Sequence, residues 1–184
     1  MMNKLSYAGV GSRGVPQEIE EQLTTIAIML ANKGWTLNSG AAKGCDKAFE
    51  DGVLLSENPD AMRIYLPWEG FNDNDSLLFN ISPEAISMAE KFHPAGKRMK
   101  DHTRKYMARN CYQVLSETLD DPVRFVLCYT PDGCEDGKKT TRDTGGTGQA
   151  IRVATANNIP IFNFANPNAT ARFKQHFDML YSEG

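Results

Sequence analysis

Short apolar runs alternate along the chain with longer segments in which apolar residues recur at helical spacing. The apolar runs end in glycine, proline or polar residues and predict buried strands at residues 5–10, 35–39, 61–67, 123–129 and 160–164. The longer segments predict helices at residues 16–33, 43–55, 83–92, 98–119, 149–157 and 169–180. Strands that alternate with helices and have apolar cores are typical of a mostly parallel sheet. We therefore predict the α/β class, as a single doubly wound domain over residues 1–184 with helices on both sheet faces.

Two polar segments interrupt this alternation and predict loops. Residues 68–81 include the run EGFNDNDS, and residues 131–143 read PDGCEDGKKTTRD. The second segment is rich in glycine and charge, which favours a mobile lid that moves when a ligand binds.

Three glycine-rich turns follow predicted strands and should meet at one edge of the sheet. They are GVGSRG at residues 9–14, SGAAKGCD at residues 39–46 and GGTGQ at residues 145–149. Ligands of open α/β sheets bind beyond the carboxyl ends of the strands. Backbone N–H groups in such turns, beside a helix N-terminus, suit a phosphate or another anion. One such turn alone is ordinary turn chemistry, but three together predict a phosphorylated or nucleotide ligand.

The composition narrows the class of protein further. The chain has 41% hydrophobic and 23% charged residues and a formal net charge of -3. This balance argues against a large electrostatic footprint for nucleic acid but leaves room for a local basic groove. The four cysteines form no CxxC pair and the three histidines have no ligand spacing, so we expect free thiols, no metal and no cofactor. With no signal peptide and no long apolar run, we expect a cytoplasmic protein without membrane contact.

Four sequence blocks, in order, resemble one known group of proteins. They are YAGVGSR from Tyr7, LNSGAAKGCDKAFE from Leu37, ARN at residues 108–110 and GGTGQAIRVA followed by IPIFN. These blocks resemble the SLOG superfamily of Rossmann-like proteins, which joins the DNA-processing protein DprA (Smf) and the LOG phosphoribohydrolases. The arrangement is most similar to small stand-alone DprA-like proteins of bacteriophages and bacteria. The resemblance covers residues 7–163 and implies a Rossmann-like fold.

The resemblance implies roles for individual residues. Ser39, Gly40 and Gly44 match the SGxAxGxD turn of DprA, with Asp46 in its acidic position and Glu50 where DprA proteins often carry histidine. The pair of Arg109 and Asn110 matches an RN pair of DprA, and a comparable arginine contacts the ligand's phosphate in LOG enzymes. The glycines of the LOG motif PGGxGTxxE match Gly145, Gly146 and Gly148.

The chain departs from the LOG motif at the residues that the enzyme needs. Thr144 replaces the proline, and Ile151 and Arg152 stand where the glutamate is expected. Because that glutamate assists cleavage of the N-glycosidic bond, the departure favours a protein that holds its ligand without cleaving it.

The candidate ligand-binding residues lie on the turns, at strand ends and on the RN pair. They are Gly9, Gly11, Ser12, Arg13, Ser39, Gly40, Ala41, Gly44, Arg109, Asn110, Thr130, Pro131, Asp132, Gly145, Gly146, Thr147, Gly148, Gln149 and Arg152.

Charged and aromatic side chains suggest further contacts with such a ligand. Arg13 is suited to bidentate phosphate binding, and Arg152, near the positive end of a helix, is easier to explain beside a bound anion. Tyr7, Trp68 and Tyr129 are suited to stacking on a base or to packing in the core.

Asp46 and Glu50 are the candidate catalytic residues. Four residues apart, they share one helix face, where they would supply a general base or bind ribose hydroxyls. Asp46 is equally suited to interact with the positive end of its own helix.

Three functions fit these observations. The leading hypothesis is a protein that binds a small nucleotide-derived ligand, of the ADP-ribose type or cyclic, and sequesters a nucleotide signal of bacterial immunity. The first alternative is an N-glycosidase of nucleoside 5'-monophosphates that uses Glu50 or Asp46. The second is a DprA-like protein that binds single-stranded DNA through basic residues of these turns and of the helix at 98–119, namely Lys43, Arg104, Lys105 and Arg109. The resemblance also implies a homo-oligomer, with the helix at 98–119 as a candidate contact.

Overall fold

A parallel five-stranded sheet with the strand order β3-β2-β1-β4-β5 forms the centre of the protein. The computed structural model describes residues 5–182, so the first four and last two residues of the predicted domain lie outside it. Its strands are β1 (Ser6–Gly11), β2 (Thr36–Ser39), β3 (Met62–Ile64), β4 (Val126–Tyr129) and β5 (Ile161–Asn163). The strand order reverses between β1 and β4, so the switch point of this sheet lies at the carboxyl ends of those two strands.

Helices cover both faces of the sheet in the described part of the chain. They are α1 (Gln17–Asn32), α2 (Cys45–Leu54), α3 (Pro83–Phe92), α4 (Asp101–Leu115), α5 (Thr147–Ala156) and α6 (Ala169–Ser182). The predicted α/β class and the doubly wound parallel sheet are confirmed, and the fold is Rossmann-like.

Alternation along the strands builds two hydrophobic cores, one on each face. Tyr7 and Leu127 point into the core beneath α1, α2 and α6, whereas their neighbours Ala8 and Val126 point into the core beneath α4 and α5. Strands β1, β2, β4 and β5 are therefore largely buried on both sides, which explains why they appear in the sequence as mostly apolar runs. The edge strand β3 is only half-buried.

The predicted elements differ from the observed ones mainly at their ends. The third strand is shorter than predicted because the chain leaves the ladder after Ile64, and Tyr65 then bridges to Leu78 in the predicted loop. The helix predicted at 98–119 begins at Asp101 and ends at Leu115, because Ser116 adopts a φ of 60°. That conformation is outside the helical range.

The C-terminal half of α4 belongs to the core of this chain. Every residue from Met107 to Leu115 is buried within the single chain. This half of the helix is therefore unavailable as a subunit contact, whereas Asp101 and His102 at its N-terminal end are exposed. A homo-oligomer with this helix as a candidate contact stays a prediction.

The described residues include no membrane-spanning helix and no disulfide bond. Among residues 5–182, no helix combines the length and apolar character needed to cross a bilayer. All four cysteines are buried and unpaired.

A helical glycine allows α1 and α2 to pack closely. A Cβ atom on Gly52 would meet the Thr24 carbonyl oxygen and would lie 2.6 Å from the Cβ of Ala27. Alanine is usually better than glycine inside a helix by about 1 kcal/mol, so packing and helix propensity oppose each other here.

We expect Gly52→Ala to lower the free energy of unfolding by about 2 kcal/mol, because the clash involves backbone and cannot be relieved by a rotamer change. The matched control is Gly148→Ala in α5, where the nearest atom is a side-chain nitrogen, Nη1 of Arg152, at 3.1 Å and no backbone is struck. Urea denaturation of both variants provides the measurement. A Gly52→Ala protein as stable as the wild type would show that α1 and α2 are free to separate.

Candidate ligand-binding site

A cavity of about 450 Å³ lies at the switch point of the sheet. Small-molecule sites in proteins commonly have volumes of roughly 300–1,000 Å³. The walls of the cavity come from the turn after β1, from one face of α4 and from the N-terminus of α5. Its lining residues are Val10, Gly11, Ser12, Arg13, Ala42, Asp46, Phe71, Thr103, Tyr106, Met107, Arg109, Asn110, Gln113, Thr144, Gly145, Gly146, Thr147 and Ala150.

Two adjacent residues of α4 hold two of the glycine turns. Arg109 donates a hydrogen bond from Nη1 to the carbonyl oxygen of Gly40, and Asn110 donates from Nδ2 to the carbonyl oxygen of Gly146 at 3.1 Å. Arg109 also donates from Nε to Oδ1 of Asn110 at 3.0 Å. This clamp, formed by Arg109 and Asn110, ties the turn after β2 and the turn before α5 to neighbouring residues of α4.

Arg109 carries a buried positive charge into this site. Its residue is 5% exposed, and its Nη2 makes no hydrogen bond to any residue between 5 and 182. Burial lowers the pKa of Arg109, whereas the nearby Asp46 carboxylate opposes this effect. Because arginine keeps its proton at any ordinary pH, the cavity contains a fixed cation with one unused donor group.

The N-terminus of α5 supplies a second source of positive potential. Gly145, Gly146 and Thr147 line the cavity, and the N–H groups of Gly146 and Thr147 donate to no carbonyl in the described chain. Free N–H groups at the start of a helix favour an anion, because the helix dipole places partial positive charge there.

Asp132 organises the turn that leads to this helix. Its carboxylate accepts hydrogen bonds from the hydroxyls of Thr130, Thr141 and Thr144 and from the N–H of Cys134. Although burial acts in the opposite direction, the threonine hydroxyl bonds lower the pKa of Asp132 to about 2. Asp132 therefore shapes the turn and does not line the cavity.

The loop at 131–143 is attached to the body of the protein. In addition to the Asp132 bonds, the N–H of Gly137 donates to the Thr155 hydroxyl at 2.8 Å, and Cys134 is buried. These contacts differ from the free lid that its glycine content suggested.

The two candidate catalytic carboxylates accept hydrogen bonds from the turn after β2. Asp46 accepts a hydrogen bond from the N–H of Gly40 at 3.1 Å, and Glu50 accepts from the N–H of Ala41 at 2.9 Å and from the Ser39 hydroxyl at 2.7 Å. Asp46 lines the cavity, but Glu50 faces a separate groove that Lys43 also lines. The structure therefore does not bring the two carboxylates together around one ligand.

Burial raises the pKa of both carboxyls. The pKa of Asp46 rises to about 6 because desolvation outweighs the charge of Arg109 and the hydrogen bonds to its carboxylate. The pKa of Glu50 rises to about 7, chiefly through desolvation and secondarily through repulsion by Asp46 and Asp51, against the bonds from Ser39 and Ala41.

The structure divides the predicted site residues into two groups. Those that line the cavity are Gly11, Ser12, Arg13, Asp46, Arg109, Asn110, Gly145, Gly146 and Thr147. Those that lie outside its lining are Gly9, Ser39, Gly40, Ala41, Gly44, Glu50, Thr130, Pro131, Asp132, Gly148, Gln149 and Arg152.

Packing explains the position of two glycines outside the cavity. A Cβ on Gly9 would lie 2.6 Å from the Phe49 ring. Gly44 has a φ of 83°, and a Cβ there would strike the backbone of Ser12 and Arg13. Gly44 thus lets the turn after β2 touch the turn after β1.

Gln149 and Arg152 bond to each other instead of pointing at the cavity. Gln149 donates to the carbonyl oxygen of Ala89 at 3.1 Å and accepts from Arg152 Nη2 at 3.0 Å, and Arg152 Nη1 donates to Thr140 at 3.2 Å. The position of Arg152 near the positive helix end therefore needs no bound anion.

The three aromatic candidates lie in two different places. Tyr7 is fully buried in the core and Tyr129 packs against the same core. Trp68 forms an aromatic cluster with Phe71 and Tyr106, and these last two rings line the cavity. Phe71 was missed in the sequence because its neighbours in the run EGFNDNDS are polar and predict an exposed loop.

The face of α4 was the main omission of the sequence analysis. Thr103, Tyr106, Met107 and Gln113 line the cavity beside the RN pair at spacings of three and four residues. Their helical spacing was visible, but it is the same spacing that an ordinary packing face shows.

The basic residues proposed for DNA binding are not equally available. Arg104 pairs with Glu90 at 3.1 Å in a mostly buried contact, and Lys105 lies 3.8 Å from Asp101. Lys43 lines the separate groove. Only Arg109, of the four, lines the cavity.

Comparisons with known proteins support the fold and leave the family open. No protein-family model matches the chain, and no curated protein matches it. The structure is similar to that of DNA processing protein A from Helicobacter pylori, solved for its single-stranded DNA binding mode, with 20% sequence identity and a TM-score of 0.53. The similarity covers 88% of this chain and 65% of that chain, so this chain spans less than two thirds of its length. At this identity, the likeness shows a DprA-like Rossmann-type fold.

The raised pKa of Glu50 predicts a pH-dependent stability. The folded protein binds this proton more tightly than the unfolded chain, where the ordinary pKa is 4.5. The contribution of Glu50 to the free energy of unfolding is therefore largest below pH 4.5 and is lost as the pH rises through 7.

We expect Glu50→Gln, which retains an oxygen acceptor, to gain stability over the wild type between pH 5 and 8, on the order of 1–2 kcal/mol. Urea denaturation at several pH values measures this gain, with exposed Glu57→Gln as the control. Parallel stability curves for wild type and Glu50→Gln would mean that Glu50 is ionised at no cost in the folded protein.

Proposed function

We propose that the cavity at the switch point binds a phosphorylated nucleotide. The observation that carries this proposal is the convergence of Arg13, Arg109 and the unpaired N–H groups of Gly146 and Thr147 on one cavity. Backbone N–H groups at a helix N-terminus and arginine side chains are the groups that proteins use to bind phosphate. The phosphate would lie between the turn after β1 and the start of α5.

The opposite side of the cavity suits the nucleoside. Phe71 and Tyr106 provide aromatic surface for a base, and Asp46 and Asn110 provide polar groups for the sugar or the base edge. The volume of about 450 Å³ is suited to one nucleotide at a time.

The comparisons favour single-stranded DNA as the ligand that supplies this nucleotide. DNA processing protein A from H. pylori, which has a similar fold, is described by its single-stranded DNA binding mode. In this proposal one nucleotide of the strand enters the cavity and its neighbours cross the rim. Base stacking and phosphate contacts would then share the binding energy.

A free nucleotide-derived ligand is the second candidate. The formal net charge is -3, and Arg104 and Lys105, two of the residues expected to bind DNA, form ion pairs with Glu90 and Asp101. Both facts weaken the case for an extended phosphate backbone. A compact ligand of the ADP-ribose type, or a cyclic one, needs only the cavity. Sequestering such a signal of bacterial immunity is the specific form of this candidate.

The two candidate ligands predict different dependences of binding affinity on ligand length and on salt concentration. Fluorescence anisotropy would compare a labelled oligothymidylate of about 12 nucleotides with unlabelled thymidine monophosphate, AMP and ADP-ribose as competitors. Tight oligonucleotide binding that weakens steeply with salt supports DNA. Tight binding of one small nucleotide, with little oligonucleotide binding, supports the second candidate. The same samples, analysed for released base, would reveal cleavage, and binding of none of these ligands would refute the proposal.

Arg13 is the cavity residue best suited to a mutational test, because it is exposed and its loss should not disturb the fold. We expect Arg13→Ala to weaken binding of the oligonucleotide or the nucleotide about tenfold. For an oligonucleotide, the slope of log affinity against log salt should fall by about 0.7.

Arg124→Ala is the matched control, since Arg124 is exposed just before β4, at the opposite edge of the sheet. Equal losses in the two variants would show that binding follows overall charge and does not depend on the cavity.

A further inference from the structure

One of the two tryptophans lies at the rim of the cavity and is partly exposed. Trp35 is 1% exposed in the core, whereas Trp68 is 37% exposed. The Trp68 ring lies 5.4 Å from the Phe71 ring and 5.1 Å from the Tyr106 ring, centroid to centroid. Both of those rings line the cavity, but Trp68 itself does not.

The backbone around Trp68 is held in a defined shape. The N–H of Phe71 donates to the Trp68 carbonyl oxygen, and Asn72 donates from Nδ2 to the carbonyl oxygen of Ala41 at 2.9 Å. This side-chain bond ties the loop to the turn after β2, beside the clamp of Arg109 and Asn110. Trp68 is therefore presented by a rigid support.

The packing around Trp68 leaves room for a stacked partner. Phe71 and Tyr106 meet the indole edge to face, at interplanar angles of 89° and 76°. No aromatic ring in the described chain stacks parallel to it. An exposed indole that costs free energy in water gains from a flat apolar partner, and a nucleobase is such a partner.

We propose that Trp68 stacks on a second nucleobase, that of the nucleotide next to the one in the cavity. This inference rests on the proposed function and makes the ligand a single strand of nucleic acid rather than a mononucleotide. The Trp68 ring lies only 5.4 Å from Phe71 and 5.1 Å from Tyr106, so neighbouring nucleotides of one strand, at least about 3.4 Å apart, can reach the cavity and Trp68 together.

The position of Arg109 supports a path from the cavity to Trp68. Its guanidinium lies 5.7 Å from the Phe71 ring and 5.8 Å from the Tyr106 ring. A positive charge and aromatic faces therefore occur side by side along one wall. Alternation of cation and aromatic surface is the arrangement that binds single strands without reading their sequence.

The test compares an oligothymidylate of about 12 nucleotides with thymidine monophosphate. We expect Trp68→Ala to weaken oligonucleotide binding about tenfold and to leave mononucleotide binding within about twofold, with Trp68→Phe in between. Oligonucleotide binding should also quench the emission of exposed Trp68 in the wild type, while buried Trp35 is unaffected. The control is Leu55→Ala, which removes a 71% exposed hydrophobic side chain at the end of α2.

The outcomes separate this inference from the function on which it rests. If both ligands bind the wild type and Trp68→Ala weakens both equally, Trp68 only shapes the cavity and the inference is overturned. If Trp68→Ala weakens neither, the inference is overturned as well, whereas the cavity proposal stands. If neither ligand binds the wild type, the proposed function itself fails. Thermal unfolding of Trp68→Ala, with Trp68→Phe as the conservative variant, would identify any loss caused by misfolding.

Discussion

The clamp of Arg109 and Asn110 is the constraint on which the site depends. Two neighbouring side chains of α4 reach in different directions, one to the carbonyl oxygen of Gly40 and the other to that of Gly146. Because the C-terminal half of α4 is buried against the sheet, these contacts are fixed relative to the strands. The helix therefore holds both turns in place, and residues of each, such as Ala42 and Gly146, line the cavity.

The fold could be predicted from the sequence because most strands are buried on two sides and the helices are buried on one. The site was accessible only where its chemistry lies in turns, as at Gly11, Arg13 and Gly146, or in the RN pair. Thr103 and Gln113 escaped because a cavity-lining helix face has the same periodicity as a packing face. Arg152 was predicted beside a bound anion, but it donates hydrogen bonds to Gln149 and Thr140. Residue spacing in the sequence does not reveal such side-chain partners.

Glycines at this edge serve packing as much as binding. Gly44 brings the turn after β2 against the turn after β1, and Gly9 makes room for the Phe49 ring. A glycine-rich pattern therefore indicates that another group approaches the backbone closely, and that group can be a ligand or another part of the chain. Gly145 and Gly146 are different, because both line the cavity and a Cβ on either would meet no atom closer than 3.8 Å.

The buried charge of Arg109 has a thermodynamic consequence for the whole molecule. Its guanidinium forms no ion pair with a carboxylate of residues 5–182, so the empty fold carries part of the desolvation cost of a cation. An anionic guest would relieve that cost only in the native state, and mass action would then raise the melting temperature with its concentration. The melting temperature measured with different solutes would therefore show which anions bind to the native protein.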